Sequence, residues 1–464
     1  MTGPGRFIRS GPGSPDRTGK GRIQNNQQVR TNITGAEQMA QTDTAKPEAM
    51  TTSDGTPLKD SLRRSMRRNK IKALLLVAPL GLFIFFSFVM PILTMMYRSV
   101  TNPEIIDQLP RATEQLRAWS HAESEIPPED FFRAVSLDML TADEEDRSIG
   151  RAGGQLNYEI PGARSMFGRT GRAVAALDEP PDSWKDFIME QHRLWEDPAT
   201  YRIMQRQMNP ITAQYYLNAL DFRYSPEGNI ERQPEFQRIY VELYWRTLWV
   251  SALITGLTIL LGFPVAFLLA NLPMRTSNLL MILVLLPFWT SLLVRTSSWI
   301  VILQSQGVLN DVLVLLGIVA DDNRPRMIYN MIGTVVGMTH ILLPFMILPL
   351  YSVMKTIPPS YVRAARSLGA NPVVAFFRVY VPQTVAGIGA GSILVFILSI
   401  GYYITPALIG GSSGQLISNF IAYHMQSSLN WSLAAALGGI LLVAVLVLYY
   451  FYNKLIGVDK MKLG

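Results

Sequence analysis

The residues best suited to specific chemistry in this chain form a docking segment rather than a catalytic cluster. Residues 360–382 make a polar island between two long apolar runs. Ser360 follows two prolines and is expected to cap a short helix, and Gly369 gives that helix a sharp exit. Within it, Ala364 and Ala365 permit close approach by another protein, with Leu368 beside them.

A second short helix is predicted directly after the first. Asn371 and Pro372 match its N-cap and first position, and Pro382 is expected to stop it. Its side chains are apolar and partly aromatic: Val373, Val374, Phe376 and Phe377. Two short helices between membrane spans suit a groove in a partner protein, and a plain connecting loop would not need these features.

Polar and aromatic side chains gather around two prolines in apolar runs. Pro287 and Pro406 are expected to interrupt helices, whose freed carbonyl groups then need protein or a wet cavity as partners. The side chains near the two breaks are Trp289, Thr290, Ser291, Tyr402, Tyr403 and Thr405. They suit a path for a polar solute. The alternative is helix packing, because Ser and Thr are common where spans meet and Trp and Tyr at the membrane interface.

Arg295 and Trp299 extend this candidate path. A buried arginine in a span costs roughly 2.5–3.5 kcal/mol even on lenient scales, so it needs a partner or a wet cavity unless it snorkels outward. His340, the only histidine inside a predicted span, favours a structural hydrogen bond over a proton relay, and no second His or carboxylate stands beside it at metal spacing. No Asp or Glu lies inside the six predicted spans, with Glu242 just outside them. A cationic cargo would therefore depend on aromatic faces or on another subunit.

The composition excludes several functions. The chain has no cysteine, which rules out disulfides and thiolate sites. It has no phosphate-cradling Gly-x-x-x-x-Gly-Lys-Ser/Thr motif and no nucleophile elbow, so it is not expected to be an enzyme or to hydrolyse ATP. Basic residues flank apolar runs instead of forming a stripe on a folded domain, so nucleic acid is not an expected partner.

Apolar runs dominate the fold prediction. The 464 residues are 48% hydrophobic and only 17% charged. Six runs are long enough to cross a bilayer: 71–96, 244–272, 279–303, 330–354, 384–410 and 431–452. We predict an all-α membrane protein with six transmembrane helices. Basic residues before the first run, in the polar island and after the last run put both termini in the cytoplasm of a bacterial inner membrane.

The polar island resembles the EAA loop of binding-protein-dependent ABC importer permeases. The family pattern is Glu-Ala-Ala, three residues, Gly, nine residues, Ile, one residue, Leu-Pro. Four positions match at the family's spacing: Ala364, Ala365, Gly369 and Pro382. Val379 and Val381 are conservative departures, and Arg363 replaces the glutamate. Residues 287–299 and 401–411 are similar to the third and fifth spans of polyamine-type permeases.

The resemblance implies a domain organisation. It predicts a permease core over residues 241–464, containing five helices and a cytoplasmic coupling loop, residues 355–383. Before the core we expect a disordered cytoplasmic tail (1–60), a first transmembrane helix (61–98) and an extracytoplasmic inserted domain (99–240), called the insert below. The insert is expected to be partly helical, with glycine-rich breaks at 150–154 and 162–171.

The resemblance also implies partners and a mechanism. The chain would be the permease subunit of an ATP-driven importer for a small polar solute, with polyamines as the nearest cargo class. It would dock two ATPases, which bind ATP and Mg²⁺, pair with itself or a related permease, sit among membrane lipids, and receive cargo from an extracytoplasmic binding protein. It needs no cofactor of its own. The alternatives are an ATP-independent channel or secondary carrier, and a membrane-anchored assembly or sensor protein.

Overall fold

The computed structural model of this protein is mostly helical and describes residues 58–122, 124–144 and 150–456. Five of its helical segments are long and apolar enough to cross a membrane, and a bent pair makes a sixth candidate. The prediction of a mostly helical membrane protein is confirmed, and the described residues contain five candidate spans, or six if the bent pair is one span. The expected disordered tail lies almost wholly outside the described residues.

The first candidate span, Ser65–Arg98, is helical throughout. It comprises α1 (Leu58–Ile84), a π-helical turn (Phe85–Val89) and α2 (Met90–Arg98). The π turn lies directly before Pro91, which has no N–H to donate to the preceding turn and would crowd an ordinary helix there. The span therefore continues past the proline.

The insert contains eight described helices and a small hairpin. The helices are α3 (Pro103–Gln108), α4 (Pro110–Ala118), α5 (Glu129–Glu144), α6 (Gly150–Leu156), α7 (Ala163–Ala175), α8 (Trp184–Gln191), α9 (Pro198–Gln207) and α10 (Gln214–Ala219). Strands β1 (Phe222–Tyr224) and β2 (Ile230–Arg232) pair antiparallel. Two 3₁₀ turns complete it, Arg193–Trp195 and Glu235–Gln237.

The insert has its own hydrophobic core. Phe131, Phe132, Trp195 and Tyr201 are fully buried and meet mostly edge to face. The Trp195 Nε1–H donates to Thr170 Oγ1 at 2.9 Å, so the ring's polar atom is satisfied. These rings come from α5, the 3₁₀ turn Arg193–Trp195 and α9, so they hold these three elements together.

The expected glycine-rich breaks in the insert are wrong. Residues 150–154 begin α6, and residues 163–171 lie in α7. A Cβ on Gly153 would stand 3.0 Å from the Phe167 Cβ, so this glycine lets α6 approach α7 closely. Gly162, at φ 100°, is the N-cap of α7 and begins that helix instead of interrupting it.

The remaining helices form the membrane part. They are α11 (Tyr240–Asn271), α12 (Met274–Leu285), α13 (Leu292–Leu303), α14 (Val308–Leu315), α15 (Met331–Thr356), α16 (Pro359–Ser367), α17 (Pro372–Ala375), α18 (Val381–Gln383), α19 (Val385–Gly401), α20 (Ile404–Ile409), α21 (Ile417–Gln426) and α22 (Trp431–Ile456). Short turns lie at Leu286–Trp289, Asp321–Asn323 and, in π form, Phe376–Tyr380.

Helices α11, α15 and α19 pack as the centre of this part. Their shared core includes Ile254, Met346, Leu350 and Val395, all buried. A Cβ on Gly391 would lie 2.6 Å from the Met346 Sδ, so α19 reaches α15 only because that position has no side chain. The three helices therefore form one tightly packed unit from which the other elements extend.

The third predicted span, 279–303, is not one continuous helix. α12 ends at Leu285, a 3₁₀ turn covers Leu286–Trp289, and α13 begins at Leu292. The candidate span at this place is Leu292–Leu315, and α12 with its turn forms a shorter apolar helix, Met274–Trp289. Pro287 explains the interruption, because it cannot donate to the preceding turn.

Candidate functional site

The first helix of the coupling loop is α16, and it ends in a glycine-dependent cap. Gly369 has φ 92°, and its N–H donates to the Arg366 carbonyl at 3.0 Å. The Ala370 N–H donates to the Ala365 carbonyl at 3.1 Å. This pair of bonds is the Schellman motif, which favours glycine at the left-handed position. Ser360 is not the cap, because the helix already begins at Pro359.

The second helix of the coupling loop starts as predicted and continues further. Asn371 Oδ1 accepts the Val374 N–H at 2.8 Å, with Pro372 in the first turn of α17. The helix then widens into the π turn Phe376–Tyr380 and runs through α18. Pro382 therefore does not stop it, because a widened turn accommodates the proline. The chain bends by 58° only before Val385.

The coupling loop has exposed apolar side chains, and its charged residues are all basic. Leu368 is 89% exposed, and Tyr361, Val373 and Phe377 are also exposed. Ala364, Gly369 and Pro382 lie on the surface, while Ala365 is half-buried. The loop has four basic residues and no acidic one: Lys355, Arg363, Arg366 and Arg378. Such a surface fits a groove that is apolar at its centre and acidic at its rim.

Four aromatic rings fasten the coupling loop to the C-terminal half of α11. The Phe376 ring stacks on Tyr380 at 5.6 Å and meets Phe267 edge-on at 5.4 Å and Phe263 at 6.2 Å. Phe267 also meets Tyr380 at 5.2 Å. This ring cluster was not among the predicted sites. The sequence does show that Phe263 and Phe267, and likewise Phe376 and Tyr380, are four residues apart, a spacing that places the two rings of each pair on one helix face.

The break before α13 leaves the side chains of the first candidate path segment on the surface. Trp289 is 74% exposed, and Thr290 Oγ1 donates to the Pro287 carbonyl at 2.9 Å. Ser291 is the N-cap residue of α13 but makes no side-chain capping bond. The Phe288 ring meets Phe345 of α15 at 5.0 Å, so the break lies against α15.

The second break lies between α19 and α20, at Tyr402 and Tyr403. It lies just before Pro406, which is in the first turn of α20 and has no N–H to donate to the Tyr402 carbonyl, as expected of a proline that interrupts a helix. Two carbonyl groups beside the break accept hydrogen bonds from side chains. Asn419 Nδ2 donates to the Tyr403 carbonyl at 2.8 Å, and Ser418 Oγ donates to the Ile400 carbonyl. Both donors belong to α21 and were missed, because nothing in the local sequence connects them to this break.

Part of the predicted path converges on one place, where α13, α15 and α20 meet. Thr296 and Thr405 share a hydrogen bond at 3.3 Å, and Trp299 Nε1 donates to His340 Nδ1 at 3.2 Å. Arg295 lies within electrostatic range of both His340 and Tyr402. We call these six residues the path cluster: Arg295, Thr296, Trp299, His340, Tyr402 and Thr405. Among the described side chains, those of Trp289, Ser291 and Tyr403 make no hydrogen bond or ring contact with it.

Arg295 is the unusual member of the path cluster. Its Nε is buried without a hydrogen-bond partner among the described residues. It lies in the first turn of α13, next to the break and near the start of the candidate span Leu292–Leu315. Because Arg295 lies near the start of its candidate span, outward snorkelling stays open as the alternative to a partner in a wet cavity.

The structure places two acidic residues within the candidate spans. α11 begins at Tyr240, so Glu242 lies in its first turn and pairs with Arg246 one turn later. Asp311 lies in α14, within the third candidate span, and pairs with Arg324 at 2.6 Å. The expectation of spans without carboxylates therefore fails at two helix ends. No group of three metal-ligand side chains occurs among the described residues.

Comparisons with known proteins match the membrane part. The family model described as "Binding-protein-dependent transport system inner membrane component" matches residues 259–457. The spermidine/putrescine transport system permease protein PotB of Haemophilus influenzae is 37% identical over 224 residues, which are 48% of this chain and 78% of that protein. PotB of Escherichia coli is 34% identical over 198 residues, 43% of this chain and 71% of that protein.

One similar solved structure is a bacterial ABC transporter involved in the import of the acidic polysaccharide alginate. It has a TM-score of 0.39 and 19% sequence identity, over 50% of this chain and 82% of that one. The family match begins after the insert, which it does not include.

Proposed function

We propose a cargo and a coupling site for this chain, which belongs to the family of binding-protein-dependent ABC transport inner membrane components. It is a permease subunit of an importer, a transport component without a catalytic role. The proposal is that it moves a polyamine across the bacterial inner membrane by alternating access. ATP binding and hydrolysis occur on two partner ATPases, and the cargo is delivered by a solute-binding protein.

The uncovered apolar surface of the coupling loop carries this proposal. Leu368 is exposed together with Tyr361, Val373 and Phe377 of the same loop, and several exposed apolar side chains on one short segment favour burial against a partner. The coupling residues are Ala364, Ala365, Leu368, Gly369 and Pro382. Arg363 in place of the family's glutamate reverses the charge at one contact, so the groove of the ATPase should be acidic there.

The path cluster and the two breaks support a route for a polar solute. Broken helices offer backbone carbonyl groups, and the neighbouring hydroxyls and aromatic rings offer hydrogen bonds and cation–π contacts. The route would be formed by Trp289, Thr290, Ser291, Arg295, Trp299, Tyr402, Tyr403 and Thr405. Polyamines are the favoured cargo because the PotB relatives are spermidine/putrescine permeases. A second permease subunit completes the route and supplies the carboxylates that the path cluster lacks.

The proposed topology follows from the charges. The coupling loop has no acidic residue and four basic ones, which favours the cytoplasmic side. With six spans, both termini are then cytoplasmic and the insert is extracytoplasmic. The insert would lie on the side where the binding protein arrives.

Co-purification of the partner ATPase tests the coupling site. Leu368→Ala removes an apolar contact worth up to about 2 kcal/mol if it is buried in the groove, a loss of about 30-fold in affinity. Leu315→Ala is the matched control, because Leu315 is 86% exposed but lies at the end of α14. We expect only Leu368→Ala to reduce ATPase recovery from membranes. Equal recovery from both variants would refute the docking assignment.

Uptake by vesicles that contain the complete importer tests the cargo. Labelled spermidine should enter in an ATP-dependent manner, and unlabelled putrescine should compete. If neither polyamine enters while the ATPase still binds Leu368 and its neighbours, the coupling site stands and the polyamine assignment is wrong.

A further inference from the structure

A buried carboxylate of the insert caps the first helix of the membrane core. Asp221 is 7% exposed and has φ 61°, a backbone conformation that few residues other than glycine adopt. Its carboxylate accepts the N–H groups of Ile239, Tyr240 and Val241 at 3.2, 3.0 and 2.9 Å. Three of the N–H groups at the start of α11 are therefore satisfied by one side chain that lies 18 to 20 residues earlier.

The charge of Asp221 suits this place. The N-terminus of a 32-residue helix carries partial positive charge, which stabilises an anion that would otherwise be costly to bury. The Asp221 carbonyl in turn accepts the Gln233 N–H at 2.9 Å, directly after β2. Asp221 thus holds the start of α11 with its side chain and the end of the hairpin with its backbone carbonyl.

The insert is also fastened to α22. Ser432 Oγ donates to the Thr101 carbonyl, and a Cβ on Gly439 would stand 3.1 Å from the Tyr216 hydroxyl of α10. Tyr215 and Ala219 of α10 share a buried cluster with Leu433 and Leu437 of α22. These contacts cover about two turns of α22 and involve both ends of the insert's chain.

A third attachment reaches α21 through the start of α11. The Tyr240 hydroxyl and His424 Nε2 are 2.9 Å apart, and His424 Nδ1 and Ser428 Oγ are 2.8 Å apart. The residue capped by Asp221 therefore also bonds to α21. Helices α11, α21 and α22 meet the insert at one end of the membrane part, and the bonds between them are buried.

The opposite half of α11 holds the coupling loop through the Phe376 ring cluster. At 1.5 Å per residue, the 32 residues of α11 extend about 48 Å. One continuous helix thus has the insert at its start and the proposed ATPase contact near its end. A displacement of the coupling loop would reach the insert through this helix if the junction at Asp221 is stiff.

We propose that Asp221 is a positioning residue that joins the insert rigidly to α11, so that the insert moves with this helix as one body during transport. The insert is then a part of the moving permease and not a domain on a flexible tether. This inference rests on the alternating access of the proposed function for its motion, but the stiffness of the junction is a separate property.

Spin-label distances test the junction in the complete importer, because the chain has no native cysteine. One label replaces Gln115 on the surface of α4, and the other replaces exposed Leu268 of α11. We expect a single narrow distance distribution that is the same without nucleotide and with vanadate-trapped ADP. A broad distribution, or a shift of more than a few ångström between the two states, would overturn the proposal.

Two variants test whether losing the Asp221 cap has an effect that losing another helix cap does not have. Asp197→Ala is the matched control, because Asp197 caps α9 inside the insert with a 2.9 Å bond to the Ala199 N–H. We expect Asp221→Ala to broaden the distribution at least twofold and Asp197→Ala to leave it unchanged. Equal distributions in the two variants would also overturn the proposal.

A third variant is needed if Asp221→Ala fails to fold. If Asp221→Ala does not accumulate in the membrane, Asp221→Asn, which keeps one acceptor and tolerates the backbone conformation, should show intermediate broadening. An unbroadened Asp221→Asn distribution would then count against the proposal. If no ATPase co-purifies, the proposed function fails, while the distances without nucleotide still test the junction.

Discussion

Replacing Gly369 by valine should uncouple the permease from its ATPase through the backbone alone. Gly369 has φ 92°, and a Cβ built there meets nothing within 4 Å, so the added side chain has space in the free subunit. The cost is conformational, about 1–2 kcal/mol for a residue with a Cβ in the left-handed region and more for a β-branched one. If the segment leaves that conformation, both bonds of the Schellman motif are lost and Leu368 is redirected.

The expected loss follows from that cost. If the ATPase binds only the capped form, 1–2 kcal/mol lowers its apparent affinity by about 5- to 30-fold. Recovery of the ATPase and ATP-dependent uptake should fall together, at equal amounts of permease in the membrane. Gly369→Asn should be milder, because asparagine tolerates the left-handed conformation.

Gly317 provides a matched control for this experiment. It has φ 71°, nothing lies within 4 Å of its added Cβ, and it ends α14 with the same pair of bonds. Gly317→Val therefore imposes the same strain at a helix outside the coupling loop. We expect it to insert and bind the ATPase normally. If Gly317→Val and Gly369→Val lose the ATPase equally, or neither does, the reasoning from the coupling loop is refuted.

Three other outcomes follow from the structure. Burial lowers the pKa of His424 from 6.5 to about 4. The free energy of unfolding should therefore be highest above pH 6.5 and decrease as the pH falls toward 4, because the unfolded chain then binds a proton that the folded chain does not. Thermal unfolding of His424→Asn should depend less on pH over this range. For a cationic cargo, Tyr403→Phe should preserve uptake while Tyr403→Ala lowers it several-fold, and Arg295→Gln should be tolerated; loss with Arg295→Gln alone would favour an anionic cargo. Cysteines at the exposed positions Ser124 and Ser367 should show the insert labelled and the coupling loop protected from an impermeant reagent in intact cells; the reverse pattern would overturn the topology.

The local geometry of the coupling loop could be predicted because it depends on neighbouring residues. Glycine at the end of a short helix and Asn-Pro at the start of the next determine their caps within a few positions. Ser360 was misassigned because Pro359 can itself begin a helix. Pro382 was misassigned because a π turn absorbs a proline that would stop an ordinary helix. In both cases two local rules competed, and the packing of the segment determined the result.

The contacts that join distant segments could not be predicted. Asp221 caps α11 only because a hairpin brings it back over the helix start, and an aspartate at φ 61° has no clear sequence signal. Asn419 and Ser418 satisfy the break between α19 and α20 from another helix. The sequence identified the polar side chains near each break, but their partners depend on how the helices pack.

The ends of α11 connect these unpredicted contacts to transport. Its start is capped by a carboxylate of the insert, and its C-terminal half meets the coupling loop through two phenylalanine rings. Between them, the helix is packed along its length against α15 and α19. A force applied at the coupling loop therefore acts on a helix that is supported by neighbours and fixed at its far end. Pro264 lies inside α11 and removes one of its backbone hydrogen bonds, so the packing against α15 and α19 must supply the stiffness that moves this helix as a unit. If the proposed coupling to the ATPases holds, the insert, which lies outside the family match, would move with α11 during transport.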